Sequence, residues 1–240
     1  MTTNQKPTIK NLLKLTFILS IVFTFNLQTF GQQQFGIKVS GGLSKITNSM
    51  ELQDVTFATP FVPSGMVGFY YNLALSKKSS LGAELLFSQI EGKEKWEVDF
   101  IDLDGNKVGH GTDLTYRHIS YLSLPVYYGF NIKKFTINGG FQISYALASS
   151  WREKNVATIN GVPDGTYNYN RTTDDINIEN IDFGPRAGII YNLTKKLAVE
   201  GTYYYGLNNI QKGDPSYWKL KVQQAALGIR YALWSKVDSK

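Results

Sequence analysis

Phe135-Thr136-Ile137-Asn138-Gly139-Gly140-Phe141-Gln142-Ile143-Ser144-Tyr145-Ala146-Leu147 alternates large apolar side chains with small or polar ones. Successive side chains of a strand point to opposite faces, so this period of two gives a strand with two different sides. Phe135, Ile137, Phe141, Ile143, Tyr145 and Leu147 share one side, and Thr136, Asn138, Gly140, Gln142 and Ser144 the other.

Seven further stretches repeat the pattern. Phe35–Leu43 sets Phe35, Ile37, Val39 and Leu43 against Lys38, Ser40 and Gly42. Phe61–Leu73 sets Val67, Phe69, Tyr71 and Leu73 against Ser64, Met66, Gly68 and Asn72. The others fall at Leu81–Ser88, Tyr116–Phe130, about Asp182–Tyr191, Leu197–Leu207 and Gln224–Leu233. A soluble barrel also alternates, but it turns its large apolar side chains inward and carries charge outside. Here the non-apolar face is mostly Gly, Ser and Thr, which suits the crowded lumen of a narrow barrel, and the apolar face carries almost no mid-strand charge. The predicted fold is all-β: an eight-stranded antiparallel up-and-down transmembrane β-barrel. Lipid offers no partner to backbone polar groups, so strands can cross it only in a closed ring.

The connections alternate short and long. Short turns fall near Ser76–Ser80, Lys133-Lys134 and Asn192–Lys196; long loops fall near Lys45–Pro60, Ile90–Asp113, Ala148–Glu179 and Asn208–Ser216. Short periplasmic turns and long outer loops are the outer-membrane arrangement. Trp96–Phe100 is strand-like and Asp104-Gly105 signals a tight turn, so the second long loop is expected to rise as a hairpin.

Residues 1–31 read as a cleaved signal peptide: Lys6, Lys10 and Lys14, then the apolar run Leu15–Phe25, then the small residues Thr29 and Gly31. The run is shorter than the roughly 20 residues a membrane helix needs. Removing the leader deletes three lysines and no acid, so the formal charge falls from +6 to +3 and gives no reason to expect nucleic acid. The barrel is expected over residues 32–234, with a short tail at 235–240. The chain has no cysteine, which excludes a lipoprotein anchor and disulfides. Its 15 tyrosines suit a protein with two membrane–water interfaces.

The stretches FGIKVSGGLS (35–44), GFYYNLALSKKSSLGAELLFSQIEGK (68–93), ISYLSLPVYYGF (119–130), DFGPRAGIIYNL (182–193) and LAVEGTYYYGLNNI (197–210) together resemble the PorT-like family of bacterial outer-membrane barrels. The resemblance implies an integral eight-stranded barrel without catalytic machinery, in a family with one member tied to secretion of surface proteins. The chain continues as Ser235–Lys240 past the aromatic Trp234, where many outer-membrane barrels stop.

By parity Lys38, Glu84, Arg186, Glu200 and Arg230 face the lumen. Folding the Asn192–Lys196 turn places Arg186 diagonal to Glu200. Charges of both signs can neutralise one another where a lone buried charge would be costly, so a structural plug of salt bridges is expected in a lumen of small residues. A lumen conducting small solutes or lipophiles is the alternative. A third reading is a lipid A-modifying enzyme. His118 and Ser120 lie two apart on the lipid-facing side, and a lipid A deacylase barrel carries a similar pair, but no orienting carboxylate is expected on that face. Asp102-Leu103-Asp104-Gly105-Asn106 only faintly resembles a calcium loop and reads as a turn, and His110 reads as a loop residue. Trp96, Trp151 and Trp218 are expected in an outer aromatic girdle, with Tyr71, Tyr191, Tyr231 and Trp234 at the periplasmic rim. The sequence holds no phosphate loop, zinc spacing or dinucleotide fingerprint, and no catalytic residue, metal or cofactor is expected. The expected partners are outer-membrane lipid and lipopolysaccharide, and secretion or surface proteins met through the outer loops. The expected state is a monomer.

Overall fold

A computed structural model of the protein describes residues 32–49, 58–164, 169–174, 178–212 and 219–236. The leader, Trp218 and the last four residues of the tail lie outside them. Among these residues ten strands occur: β1 (Gln33–Ser49), β2 (Val62–Ala74), β3 (Ser79–Ile101), β4 (Lys107–Ile132), β5 (Phe135–Ile159), β6 (Val162–Pro163), β7 (Tyr169–Asp174), β8 (Ile181–Asn192), β9 (Leu197–Tyr205) and β10 (Lys219–Lys236). Eight of them close a ring, β1-β2-β3-β4-β5-β8-β9-β10, with β10 returning to β1; every pairing is antiparallel. β6 and β7 pair with β5 beyond the ring.

The side chains point as the alternation requires. Leu227, Phe141 and Ile143 are 76%, 64% and 57% exposed on the outer wall, whereas Gln142 and Arg230 are 5% and 3% exposed inside. Leu73 keeps the outward register but is covered by its neighbours at the rim.

Two of the expected long loops are largely strand. β3 and β4 run unbroken past the apolar belt and meet at a turn in which Asp102 accepts the backbone N–H groups of Gly105 and, through its side chain, of Asp104 and Asn106. Gly105 sits there at φ +82°, a left-handed conformation that glycine adopts without strain. β5 continues to Ile159 and turns on Asn160-Gly161, both with positive φ, the dipeptide that two-residue hairpins favour. His110 is therefore a strand residue: its Nδ1 lies 2.7 Å from Asp99 Oδ1 on the facing strand.

One irregularity reorganises the outer half. Ser120 pairs with Ala148 and Tyr121 with Ala146, leaving Leu147 as an extra residue in β5. A bulge of this kind reverses side-chain parity beyond it. Trp151 consequently registers with Arg117 on the inner face, and Trp96 registers with Asp113 on the same face. Neither belongs to an outer girdle. At the opposite rim Tyr71, Tyr231 and Trp234 are exposed on the outer wall, and the Tyr191 ring packs 4.7 Å from that of Phe135.

Candidate functional site

Seven of the eight ring strands contribute to a charged layer across the lumen. Lys38 comes from β1, Tyr70 from β2, Glu84 from β3, Tyr127 from β4, Arg186 from β8, Glu200 from β9 and Arg230 from β10. The structure brings together all five charged residues that parity assigns to the lumen, each with 5% exposure or less. Lys38 Nζ lies 3.1 Å from Glu84 and 2.9 Å from Glu200. Arg186 lies 3.0 Å from Glu84 and 3.3 Å from Glu200. Arg230 lies 3.4 Å and 3.5 Å from the same two carboxylates.

Three cations thus surround two carboxylates, which leaves a formal excess of one positive charge. Lys38 and Arg230 are direct cross-strand partners, a pairing that repels unless a counter-charge intervenes. Both carboxylates intervene. The excess is also met by π-electrons: the Arg230 Cζ sits 4.0 Å from the Tyr70 ring centroid, and its NH2 donates to the Tyr127 hydroxyl at 2.8 Å. Tyr70 and Tyr127 lie across glycines of the next strand. A Cβ on Gly36 would come within 2.7 Å of the Tyr70 ring, and one on Gly82 would run into the Tyr127 ring. Neither tyrosine is among the residues anticipated from the charges alone. Their even and odd numbers, in phase with Gly68 and Pro125, are the signal that finds them.

Above this layer Ser123, Ser144 and Gln142 form a hydrogen-bonded step, with Ser123–Ser144 at 2.9 Å and Gln142–Ser144 at 3.0 Å. Beyond it the lumen becomes apolar, where small residues and paired charges were expected. Ile46, Ile90, Ile119, Tyr121, Tyr204, Leu220 and Val222 pack into one buried cluster. Ile178 and Ile210, which lie between strands at the mouth, complete it. Within its margin Tyr204 donates to Asp182 at 2.8 Å, and further out Arg117 binds Glu94 at 2.6 Å.

This is the interior of a closed ring of strands with an apolar outer wall, and comparison with known proteins places it among outer-membrane barrels. The outer membrane protein beta-barrel domain model matches residues 15–212. The chain belongs to that family. The outer-membrane barrel resides in the bacterial outer membrane. No curated protein matches it. Similar solved structures include Neisserial surface protein A (10% identity, 84% of this chain and 98% of that one, TM-score 0.41). Ail, the attachment invasion locus protein of Yersinia pestis, is 13% identical over 85% of this chain and 99% of its own, with TM-score 0.36. OprG of Pseudomonas aeruginosa is 12% identical over 85% and 96%, with TM-score 0.39.

The barrel's outer wall corrects one expectation. Glu91 registers opposite His118, and its Oε1 lies 3.3 Å from His118 Nδ1, so this face does hold an acid in reach. Ser120 makes no hydrogen bond to His118 among the described residues. Ser150, not Ser120, is the serine directly opposite His118, and a cavity of about 360 Å³ is lined by Glu91, His118 and Ser150 but not by Ser120. A serine nucleophile needs its base within hydrogen-bond reach, and the described geometry does not supply that contact.

Proposed function

We propose that the protein is a monomeric, non-conducting anchor that holds a β-sheet wall above the outer membrane for contact with other surface components. The observation that carries this reading is the doubly closed lumen: a charged layer toward the periplasmic side and an apolar cluster, capped by Ile178 and Ile210, toward the mouth. The five charges act structurally in this reading and, with Tyr70 and Tyr127, lock seven strands to one another. Removal of residues 1–31 on export belongs to the same reading.

The long hairpins supply the contact surface. β3, β4 and β5 overshoot the belt, and Ile101 and Leu103 stand in solvent at the tip, 67% and 107% exposed. In this reading another protein covers these apolar side chains, which stand clear of both core and lipid. The likeness of five stretches to PorT-like barrels favours partners in secretion or surface assembly. Transport through the lumen would require displacing both layers.

A photo-crosslinking residue placed at Leu103 in living cells tests the assignment. Defined protein adducts, absent when the same residue replaces periplasmic Lys77, are the expected result. Adducts to lipid alone, or none, would remove the interaction role.

A further inference from the structure

Above the belt, the outward face of β3, β4 and β5 changes its chemistry within two residues. The register aligns Glu91–His118–Ser150, then Lys93–Tyr116–Arg152, then Lys95–Leu114–Lys154 across the three strands. Four cations therefore surround two carbon-rich side chains, separated from the apolar row of Phe87 and Leu122 by the polar rows Gln89–Ser120–Ala148 and Glu91–His118–Ser150. Lys93 Nζ lies over the Tyr116 ring, 5.5 Å from its centroid. Lys95 is bridged by Glu97 at 2.6 Å, and Glu91 is engaged by His118. Among the described residues neither Arg152 nor Lys154 has an ion-pair partner, and both are exposed. Cations clustered beside a lipid-facing wall have one obvious counterpart, the anionic headgroup layer.

We infer that this face binds a phosphorylated glycolipid of the outer leaflet. The inference rests on the belt lying in the outer membrane. The acyl chains lie along Phe87, Leu122 and Leu124. One phosphate sits between Lys93 and Arg152 over the Tyr116 ring. Those two residues are two strand spacings apart, roughly 10 Å between Cα atoms, a gap their long side chains close around an anion. Lys95 and Lys154, one row further out, take a second phosphate or acidic sugar, while His118 and Ser150 face the sugar hydroxyls from below. Arginine grips phosphate with a planar pair of donors, and lysine adds a mobile point charge. Two further outward pairs, Lys45 with Phe61 at 5.6 Å and Lys221 with Tyr205 at 5.9 Å, place cations on other parts of the wall. Among the described residues, the β3–β5 face sets four of them on adjacent rows.

The experiment uses the full chain folded in detergent and titrated with bisphosphorylated lipid A or its enzymatically dephosphorylated form, with native mass spectrometry counting bound lipid. The wild type is expected to bind the phosphorylated form at least about tenfold more tightly. Combined Lys93→Gln, Lys95→Gln, Arg152→Gln and Lys154→Gln is expected to erase that preference. The charge-matched set Lys77→Gln, Lys78→Gln, Lys133→Gln and Lys134→Gln, on the opposite rim, is expected to keep it. If the fourfold variant lacks the heat-modifiable gel shift of a folded barrel, Arg152→Gln with Lys154→Gln replaces it, since among the described residues neither side chain carries an ion pair. Equal binding of the two lipids by the wild type, or an unchanged preference in the β3–β5 variant, overturns the site. Failure of the wild type to fractionate with outer membranes would instead overturn the placement on which the site rests.

Discussion

Arg230 lies against the ring of Tyr70, its Cζ 4.0 Å from the centroid, and Tyr70 can take that position only because its cross-strand partner is Gly36. The same device recurs where Tyr127 lies across Gly82 and accepts a hydrogen bond from Arg230. Glycine here is spatial room for a ring. Gly36→Val would press on the Tyr231 backbone oxygen as well as on the Tyr70 ring and is expected to cost about 1–3 kcal/mol by overpacking. Gly41, whose Cβ would meet nothing within 4 Å, is the matched control, and Gly41→Val is expected to be nearly neutral. Urea unfolding of the two variants in detergent decides; equal destabilisation would show that the Tyr70–Gly36 contact has no special role.

The three-to-two charge ratio predicts an asymmetry between losing an acid and losing a base. Glu84→Gln leaves three cations against one carboxylate and is expected to destabilise by about 3–5 kcal/mol, the cost of an uncompensated buried charge. Lys38→Met removes the excess cation and leaves two against two. Its cost should be clearly smaller, although Lys38 now touches both carboxylates. Denaturant midpoints compared in one detergent give the answer. A Lys38 variant as damaged as Glu84→Gln would mean that geometry, not charge balance, governs the layer.

The outer wall and the charged layer were legible because both follow from parity in uninterrupted strands. Phe141 and Gln142, or Ile229 and Arg230, differ in face because they differ by one position. The apolar cluster was harder to read, since Leu220 and Val222 are in phase with Gln224 and Arg230, and an apolar residue on the lumen face resembles one on the lipid face in the wrong register. Trp151 was misplaced by a single extra residue, Leu147, whose bulge reverses β5 above the belt. Nothing in local sequence announces that reversal; it appears only when β4 and β5 are paired. Glu91 near His118 was likewise invisible along the chain, being a contact between residues 27 apart that the β3–β4 register creates.

At the β3–β4 hairpin, Asp99 and Asp102 should make stability fall under strongly acidic conditions. Hydrogen bonds from Lys107 and from His110 hold the Asp99 carboxyl below its ordinary range, and the backbone N–H of Asn106 does the same for Asp102. A carboxylate with a depressed folded value contributes stability that is complete above the ordinary value, about 4, and lost as pH falls through the depressed one. The cross-strand NMR contacts between Asp99 and His110 should therefore persist from neutral pH to about 4 and weaken below it. Asp99→Asn should remove that dependence on its side of the hairpin. Loss beginning well above pH 4 would show that protonation of the Asp99 carboxylate does not control the contact, against this assignment.

On the anchor reading two layers in series fill the lumen, so opening one of them should not suffice for conduction. Ile178→Ser with Ile210→Ser loosens the apolar cap but leaves Lys38, Glu84, Arg186, Glu200 and Arg230 spanning the lumen beneath it. Planar bilayers containing this variant should stay as silent as those with wild type. Adding Tyr70→Ala and Tyr127→Ala removes two rings that fill the charged layer and leaves Arg230 without the Tyr127 hydroxyl. An eight-stranded barrel has an interior just wide enough to be filled by side chains, so the fourfold variant should show small, flickering steps and not porin-sized ones. Stable large steps in the wild type would mean that the two layers move aside together, and the anchor reading would give way to transport.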